Sequence, residues 1–248
     1  MKTVFDVCYN KETGQYLDIY LPESAEFSVM LYFHGGGLEA GDKSAANLFH
    51  EYMTSHGIAV ISANYRMYPT AKYPDYLTDA ADAVAWVFEN IGKYGKINGI
   101  YVGGSSAGGY ISQMLCFDKS WLAKHGIQPT DIAGFIHDAG QPTCHFNVLR
   151  ERGIDTRRVI VDDSAPLYHI GEDAQYPPML IIVSDNDLQN RYEQTMLLLS
   201  TLKHFGHSGI AQLKIMNGKH CEYVRDSDQN GVNIFAKLAT EFINGETA

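Results

Sequence analysis

Charged side chains are scarce in this chain of 248 residues, because Asp, Glu, Lys and Arg together make up only 19% of it. Disordered chains are rich in charge and poor in apolar residues, whereas 45% of this chain is hydrophobic, which is enough for a sizeable core. Basic residues are outnumbered by acidic ones, and the formal net charge is −10 at pH 7. A protein of this charge repels phosphate backbones, so we expect no nucleic-acid partner.

Cysteine is also rare, and the absence of any C-x-x-C pair argues against a zinc site or a disulfide framework. The four cysteines are Cys8, Cys116, Cys144 and Cys221. Such scattered cysteines indicate reduced, mostly buried thiols, which favours a cytoplasmic protein. A secretory signal needs an uninterrupted apolar stretch, and Asp6 and Asn10 interrupt the N-terminal one. No run is long and apolar enough to span a bilayer, so we expect no membrane partner.

Short apolar runs alternate with longer segments of helical periodicity. Eight strands are predicted, at Val4–Tyr9, Gln15–Leu21, Ser28–Phe33, Ile58–Ala63, Gly99–Val102, Ile132–Ile136, Met179–Val183 and Ala211–Met216. Helices are predicted at Ala45–His56, Asp75–Ile91, Ser106–Leu115, Arg191–Phe205 and Asn233–Ile243. This alternation predicts an α/β fold, a mostly parallel sheet with helices on both faces, in a single domain over residues 1–248.

The segment Gln141–Tyr168 does not follow the alternation. It contains two prolines and many charges, and its periodicity is weak. An insertion after a sheet strand commonly covers the functional site, so residues 141–168 are predicted to form a small lid.

The pentapeptide Gly104–Gly108 (GSSAG) joins a predicted strand to a predicted helix. A serine at such a turn is forced into strained backbone angles, and the helix N-terminus supplies free N–H groups beneath it. A phosphate loop is the competing interpretation, but no Lys stands in the P-loop position and G-x-G-x-x-G is absent. The pattern therefore predicts Ser106 as a nucleophile.

A second glycine-rich motif, His34–Gly37 (HGGG), follows the predicted strand that ends at Phe33. Three consecutive glycines are costly to order, and their use is to bring backbone N–H groups close to a ligand. An HGGG motif upstream of G-x-S-x-G, each directly after a buried strand, is far more specific than either motif alone.

Together with Gly41-Asp42 and Asn64-Tyr65-Arg66, these two motifs make the chain resemble the hormone-sensitive-lipase-like carboxylesterases and their small bacterial acetylesterase relatives. The resemblance runs from about Met30 to about His220 and implies the α/β-hydrolase fold. It also implies an oxyanion hole formed by the N–H groups of Gly36, Gly37 and Ala107, and no cofactor or metal. Two departures are Leu38, where many relatives have an aromatic residue, and the lack of an N-terminal helical cap.

A serine hydrolase of this type needs an acid and then a histidine after the serine. Asp185 and Asp187 follow the predicted strand Met179–Val183, and the resemblance favours Asp187, since Pro178 onwards matches the family pattern Pro-x-Leu, apolar run, Gly-x-x-Asp with Ser in place of Gly. Asp185 remains the alternative, and either residue could instead cap a helix. His220 lies in the loop after the last predicted strand, and no other histidine fits the order as well.

Three further residues near these motifs have less specific roles. Arg66 and Asp79 are expected to be structural, with Arg66 bonding a carboxylate or carbonyls near the HGGG loop. Cys221 is next to His220, and a packing thiol is the expected role rather than a reactive one.

The sequence thus predicts a serine carboxylesterase that acts on short-chain, acetyl-like esters through an acyl-enzyme. An arylformamidase or a peptidase could use the same triad, and a non-catalytic ligand-binding protein is the alternative outside the enzymes. The expected partner is a small-molecule ester, and the chain could form a homodimer.

Overall fold

The computed structural model describes residues 2–246 and contains one eight-stranded sheet. The strands are β1 (Lys2–Asn10), β2 (Gln15–Leu21), β3 (Glu26–Phe33), β4 (Ile58–Ala63), β5 (Lys96–Ser105), β6 (Gly134–Asp138), β7 (Met179–Asn186) and β8 (Ala211–Lys219). Their order in the sheet is β1-β2-β4-β3-β5-β6-β7-β8. β1 pairs antiparallel with β2, and β2 antiparallel with β4, whereas the six strands β4-β3-β5-β6-β7-β8 all pair parallel. The predicted eight strands and mostly parallel sheet are confirmed.

Helices cover both faces of the sheet. They are α1 (His50–Ser55), α2 (Asp75–Asn90), α3 (Ala107–Phe117), α4 (Ser120–Ala123), α5 (Phe146–Glu151), α6 (Arg191–His204) and α7 (Ile234–Ile243). Alternate residues of β3 enter two different cores, with Val29 and Leu31 on the side of α2 and α3, and Met30 and Tyr32 on the side of α1 and α7. Because the strand is buried on both faces, it reads as a continuous apolar run.

Many predicted strands and helices differ from the structure by up to three residues at an end, and two of the differences have a clear structural cause. The helix predicted over 45–56 is a short 3-10 helix, Lys43–Leu48, followed by α1. The break is at Phe49, whose backbone leaves helical geometry while its buried ring packs edge-on against Tyr32 and Phe235. The sixth strand begins later than predicted, at Gly134, because Ile132 closes a 3-10 turn through a hydrogen bond to Pro129.

The parallel strands end at one edge of the sheet. β3 ends at Phe33, β5 at Ser105 and β6 at Asp138, while β7 and β8 end at Asn186 and Lys219. In open α/β sheets the loops beyond these carboxyl ends form the ligand-binding crevice. All the sequence-predicted site residues lie in those loops, within two residues of a strand end or in the HGGG loop.

Within residues 2–246, no helix has the length and apolar character needed to cross a bilayer.

Candidate active site

Ser106 occupies a tight turn between β5 and α3. Its backbone has φ 57° and ψ −110°, a conformation that L-residues avoid and that costs on the order of 1–3 kcal/mol. The turn is held by a 2.7 Å hydrogen bond from the Ser106 N–H to the Asp138 carbonyl, at the end of the neighbouring strand. A Cβ at Gly108 would lie 1.9 Å from the carbonyl oxygen of Phe33, so glycine is required there for helix and strand to approach. The structure therefore has the strand-turn-helix geometry predicted for this motif.

The structure brings Ser106, His220 and Asp187 into one hydrogen-bonded chain. His220 Nε2 lies 2.8 Å from Ser106 Oγ, and His220 Nδ1 lies 2.5 Å from Asp187 Oδ1. The Asp187 side chain is completely buried, and it also accepts a hydrogen bond from the Leu188 N–H at 2.7 Å. Burial alone would raise the pKa of Asp187, but the hydrogen bond and charge of His220 outweigh it and hold that pKa below its usual value. Asp187 is thus suited to remain ionised beside the imidazole.

Asp185, the alternative acid, has a different contact. Its carboxylate is exposed and accepts a 3.0 Å hydrogen bond from the backbone N–H of Gly218, in the strand end that leads to His220. Asp185 therefore stabilises the segment that precedes His220, whereas Asp187 contacts the imidazole itself.

The HGGG loop lies against the turn that carries Ser106. A Cβ at Gly35 would be 3.3 Å from Ser106 Cβ, and a Cβ at Gly36 would be 1.9 Å from the carbonyl oxygen of Ala40. Gly36 and Gly37 have φ of 114° and 66°, and glycine adopts such positive angles far more readily than other residues do. Among the described residues, no acceptor bonds the N–H groups of Gly36, Gly37 or Ala107. Three free donors are thus carried by the two loops that flank Ser106.

Several side chains fix the shape of this loop. His34 is stacked on Tyr65 and donates its Nδ1–H to the Gly35 carbonyl at 2.7 Å, and burial lowers its pKa, which favours the neutral ring. Tyr65 donates its hydroxyl to the His34 carbonyl at 2.9 Å. Arg66 forms a two-pronged ion pair with buried Asp79, with nitrogen–oxygen distances of 2.8 to 3.0 Å. These contacts agree with the structural role expected for Arg66 and Asp79.

The end of β6 is hydrogen-bonded to each of the three segments that carry Ser106, His220 and Asp187. The Asp138 carbonyl accepts from the N–H of Ser106, and the Asp138 carboxylate accepts from the hydroxyl of Tyr223, three residues after His220. The next carbonyl, that of Ala139, accepts from the guanidinium of Arg191, four residues after Asp187.

Asp138 is completely buried, and its second carboxylate oxygen has no hydrogen-bond partner among the described residues. Burial raises its pKa to about 6, an effect that the neighbouring Ser105 and Tyr223 hydroxyls oppose in part. Sequence reasoning missed Asp138, Tyr223 and Arg191. An acidic residue ending the apolar run Gly134–Asp138 was the one available signal.

Cys221 contacts the imidazole but is not placed to act as a nucleophile. Its Sγ lies 3.7 Å from His220 Nε2. Burial, together with the charges of Asp138 and Asp187, raises the pKa of the thiol well above its usual value. The thiol form is therefore favoured, as expected of a packing residue.

The segment 141–168 packs on the HGGG loop. Asn147 donates its side-chain amide to the Gly37 carbonyl at 2.8 Å, and Arg150 pairs with Glu39. Phe146 lies beside Gly37, where a Cβ would come within 3.1 Å of the ring. In residues 2–246 no three His, Cys, Asp or Glu side chains are grouped so as to hold a metal ion.

Solved esterase structures share this fold. Esterase B from Lactobacillus rhamnosis HN001 superposes with a TM-score of 0.80 at 17% identity, covering 99% of this chain and 85% of that one. A propionate-bound esterase, Est2 from Thermogutta terrifontis, gives a TM-score of 0.78 at 23% identity, covering 98% and 93%. These likenesses show the α/β-hydrolase fold.

Sequence comparisons show the family. Residues 17–126 match the BD-FAE family model. Probable carboxylesterase 7 of Arabidopsis thaliana is 32% identical over 274 aligned positions, which cover 96% of this chain and 86% of that protein. The chain therefore belongs to the carboxylesterase-type family of α/β-hydrolases, which are serine hydrolases that act on ester bonds.

Some relatives match over part of their length only. A probable isoprenylcysteine alpha-carbonyl methylesterase of Oryza sativa is 30% identical over 125 residues, which are 49% of this chain and 30% of that protein. A kynurenine formamidase of Danio rerio is 28% identical over 137 residues, 54% of this chain and 45% of that protein.

Proposed function

We propose that this enzyme hydrolyses short-chain acyl esters through an acyl-enzyme on Ser106. The observation that carries the proposal is the continuous chain from Asp187 through His220 to the Ser106 hydroxyl, with distances of 2.5 and 2.8 Å. Hydrogen-bond contact between nucleophile and base, and between base and a buried carboxylate, is the geometric signature of nucleophilic catalysis.

In the first step Ser106 Oγ attacks the ester carbonyl carbon while His220 Nε2 takes the hydroxyl proton. Asp187 fixes the imidazole tautomer and stabilises the imidazolium. The carbonyl oxygen becomes an oxyanion that accepts hydrogen bonds from the N–H groups of Gly36, Gly37 and Ala107, each contributing on the order of 3 kcal/mol. The intermediate collapses, the C–O bond to the alcohol breaks, and His220 returns the proton to the departing alcohol oxygen.

In the second step water takes the place of the alcohol. His220 removes a proton from the water as its oxygen attacks the acyl carbon, the bond to Ser106 Oγ breaks, and the serine regains its proton. The products are a carboxylic acid and free enzyme. Every proton transfer in this scheme uses the same imidazole nitrogen, which is consistent with its position 2.8 Å from Oγ.

A preference for small acyl groups is part of the proposal. Segment 141–168 packs on the HGGG loop through Phe146 and Asn147, and we propose that it acts as a lid over the acyl site. Structures of the similar esterase from Thermogutta terrifontis hold propionate and butyrate, which are acyl groups of this size.

Labelling and turnover of p-nitrophenyl acetate test the proposal. A fluorophosphonate probe should add once to the folded protein, and Ser106→Ala should abolish both labelling and turnover. Cys221→Ala is the matched control, since it removes the nearby thiol and should leave labelling intact. Retained turnover in folded Ser106→Ala would refute the assignment. Absence of labelling in the wild type would instead favour a non-catalytic ligand-binding protein.

Amide hydrolysis is the second candidate, because the same groups can attack an amide and a kynurenine formamidase is among the relatives. The kcat/KM for N-formyl arylamines should be at least tenfold below that for aryl acetates if the enzyme is an esterase. The reverse order would make it an arylformamidase.

We also propose, on the basis of the sequence, that residues 1–248 form a single domain, that the protein is cytoplasmic and that it forms a homodimer.

A further inference from the structure

A cleft of about 300 Å³ opens beside the candidate active site, between segment 141–168 and the start of α6. Its lining includes Phe146, Leu188, Gln194 and the three arginines Arg157, Arg158 and Arg191. Two contacts place it next to the reacting groups. Phe146 lies against Gly37 of the HGGG loop, and Leu188 directly follows Asp187, to which it donates its N–H.

The lining of this cleft is rich in positive charge although the chain as a whole carries a net charge of −10. Three guanidinium groups line it, those of Arg157, Arg158 and Arg191, and no Asp or Glu does so among residues 2–246. Arg157 is balanced by Asp155 outside the cleft, through hydrogen bonds of 2.9 and 2.6 Å. The surplus positive charge therefore comes from Arg158 and Arg191.

Neither Arg158 nor Arg191 forms an ion pair with a carboxylate within the described residues, although the charges of Asp155 and Asp187 act on them from beyond ion-pair distance. Within the described residues, the Arg158 guanidinium makes no hydrogen bond and no ion pair. Arg191 is only 5% exposed, and its guanidinium donates to neutral oxygens, the Ala139 carbonyl and the Gln141 side chain. A buried cation whose hydrogen-bond partners are neutral is costly; the charge of Asp187 offsets part of that cost for Arg191, and an incoming anion offsets more.

Gln194 adds a neutral donor to the same wall. It is 9% exposed, and its side-chain oxygen accepts the Thr143 hydroxyl at 3.0 Å. Its NH₂ group has no acceptor among the described residues. Guanidinium and amide donors beside the apolar side chains of Phe146 and Leu188 match an organic carboxylate.

We propose that this cleft is an anion subsite, and that the preferred substrates are esters that carry a carboxylate at some distance from the scissile bond. The proposal rests on the proposed function for the position of the ester itself. Arg158 is its specificity-determining residue, since its charge is free to pair with the substrate.

Matched ester pairs test the proposal. On the acyl side, 4-nitrophenyl hydrogen succinate is compared with its neutral methyl ester, and on the alcohol side 4-acetoxybenzoate is compared with its methyl ester. The kcat/KM ratio of charged to neutral ester should exceed one in one pair, which identifies the part of the substrate that occupies the cleft. Arg158→Gln should lower that ratio by up to about fivefold, the upper limit expected of one exposed ion pair. Arg158→Lys should restore part of the ratio.

Two further variants control for overall charge. Arg225→Gln removes the same charge from an exposed arginine outside the cleft and should leave the ratio unchanged. Asp155→Asn frees Arg157 and should raise the ratio. The proposal is overturned if both pairs give ratios at or below one, or if Arg158→Gln and Arg225→Gln have equal effects.

A binding measurement separates failure of this inference from failure of the proposed function. Ser106→Ala protein should bind 4-acetoxybenzoate or 4-nitrophenyl hydrogen succinate more tightly than the methyl ester of the same compound in calorimetric titration, whether or not the wild type turns over any ester. Equal or weaker binding of both carboxylates would overturn the subsite.

Discussion

Replacing Tyr223 by Phe removes one hydroxyl group from the buried contact that ties the His220 loop to the end of β6. The Asp138 carboxylate would lose the donor on one oxygen, while its other oxygen already has none among the described residues. A hydrogen bond to a charged group contributes about 1.5–3 kcal/mol, so the free energy of unfolding should fall by about 2 kcal/mol.

The same change should affect catalysis. Tyr223 is three residues from His220, and its contact with Asp138 fixes that loop relative to the strand that also holds the Ser106 N–H. A small displacement of the imidazole from Ser106 weakens proton transfer, and we expect kcat for p-nitrophenyl acetate to fall about tenfold. KM should change little, because Tyr223 is buried and does not itself line the cleft.

Tyr101→Phe provides the matched control. It removes a hydroxyl that donates to the Ile243 carbonyl at 3.1 Å, at a contact that involves none of the three segments. Urea denaturation and steady-state kinetics should show that it loses stability and retains kcat. If Tyr223→Phe also loses stability but keeps the wild-type kcat, the contact between Tyr223 and Asp138 does not position His220 for catalysis.

Three more predictions follow from the site. Asp187→Asn should lower kcat by about 10⁴-fold, whereas Asp185→Asn, which affects only a bond to Gly218, should lower it less than tenfold in the same assay. Gly108→Ala places a Cβ 1.9 Å from a backbone oxygen and should reduce stability by more than about 3 kcal/mol in thermal unfolding, while Gly92→Ala, with open space, should not. The pKa of Asp138 is raised to about 6 by burial, so the folded state holds a proton that the unfolded state releases, and stability falls as pH rises through about 4 to 6. Between about pH 5 and pH 8 the wild type should lose about 1 kcal/mol through this group, a loss that urea denaturation should not detect in Asp138→Asn.

The sheet was accessible to sequence reasoning because its central strands are buried on both faces. The continuous apolar run Ile58–Ala63 has the bounds that the structure shows. The helix predicted over 45–56 is divided because Phe49 turns its ring into the core between two other aromatic rings. The apolar pattern of residues 45–56 does not indicate this break, because the position of the Phe49 ring depends on Tyr32 and Phe235, which are distant in the sequence.

The candidate site was predictable to the extent that short motifs encode backbone geometry. GSSAG and HGGG identify Ser106 and the glycine loop, because close approach of backbone excludes side chains there. The contact between Asp138 and Tyr223 joins residues 85 positions apart, and no local pattern indicates it. The same holds for the cleft, whose positive charge results from folding Arg158 towards the start of α6.

Acylation of Ser106 is the most direct test of the account. Intact-protein mass spectrometry during the pre-steady-state burst with p-nitrophenyl acetate should show one added acetyl group per chain, and peptide mapping should place it on Ser106. The adduct should be absent from Ser106→Ala. In a variant that lacks the His220 base, the adduct should accumulate only when the acylating agent is strongly activated. An acetyl group on another residue, or one that persists in Ser106→Ala at the same rate, would contradict the proposed mechanism.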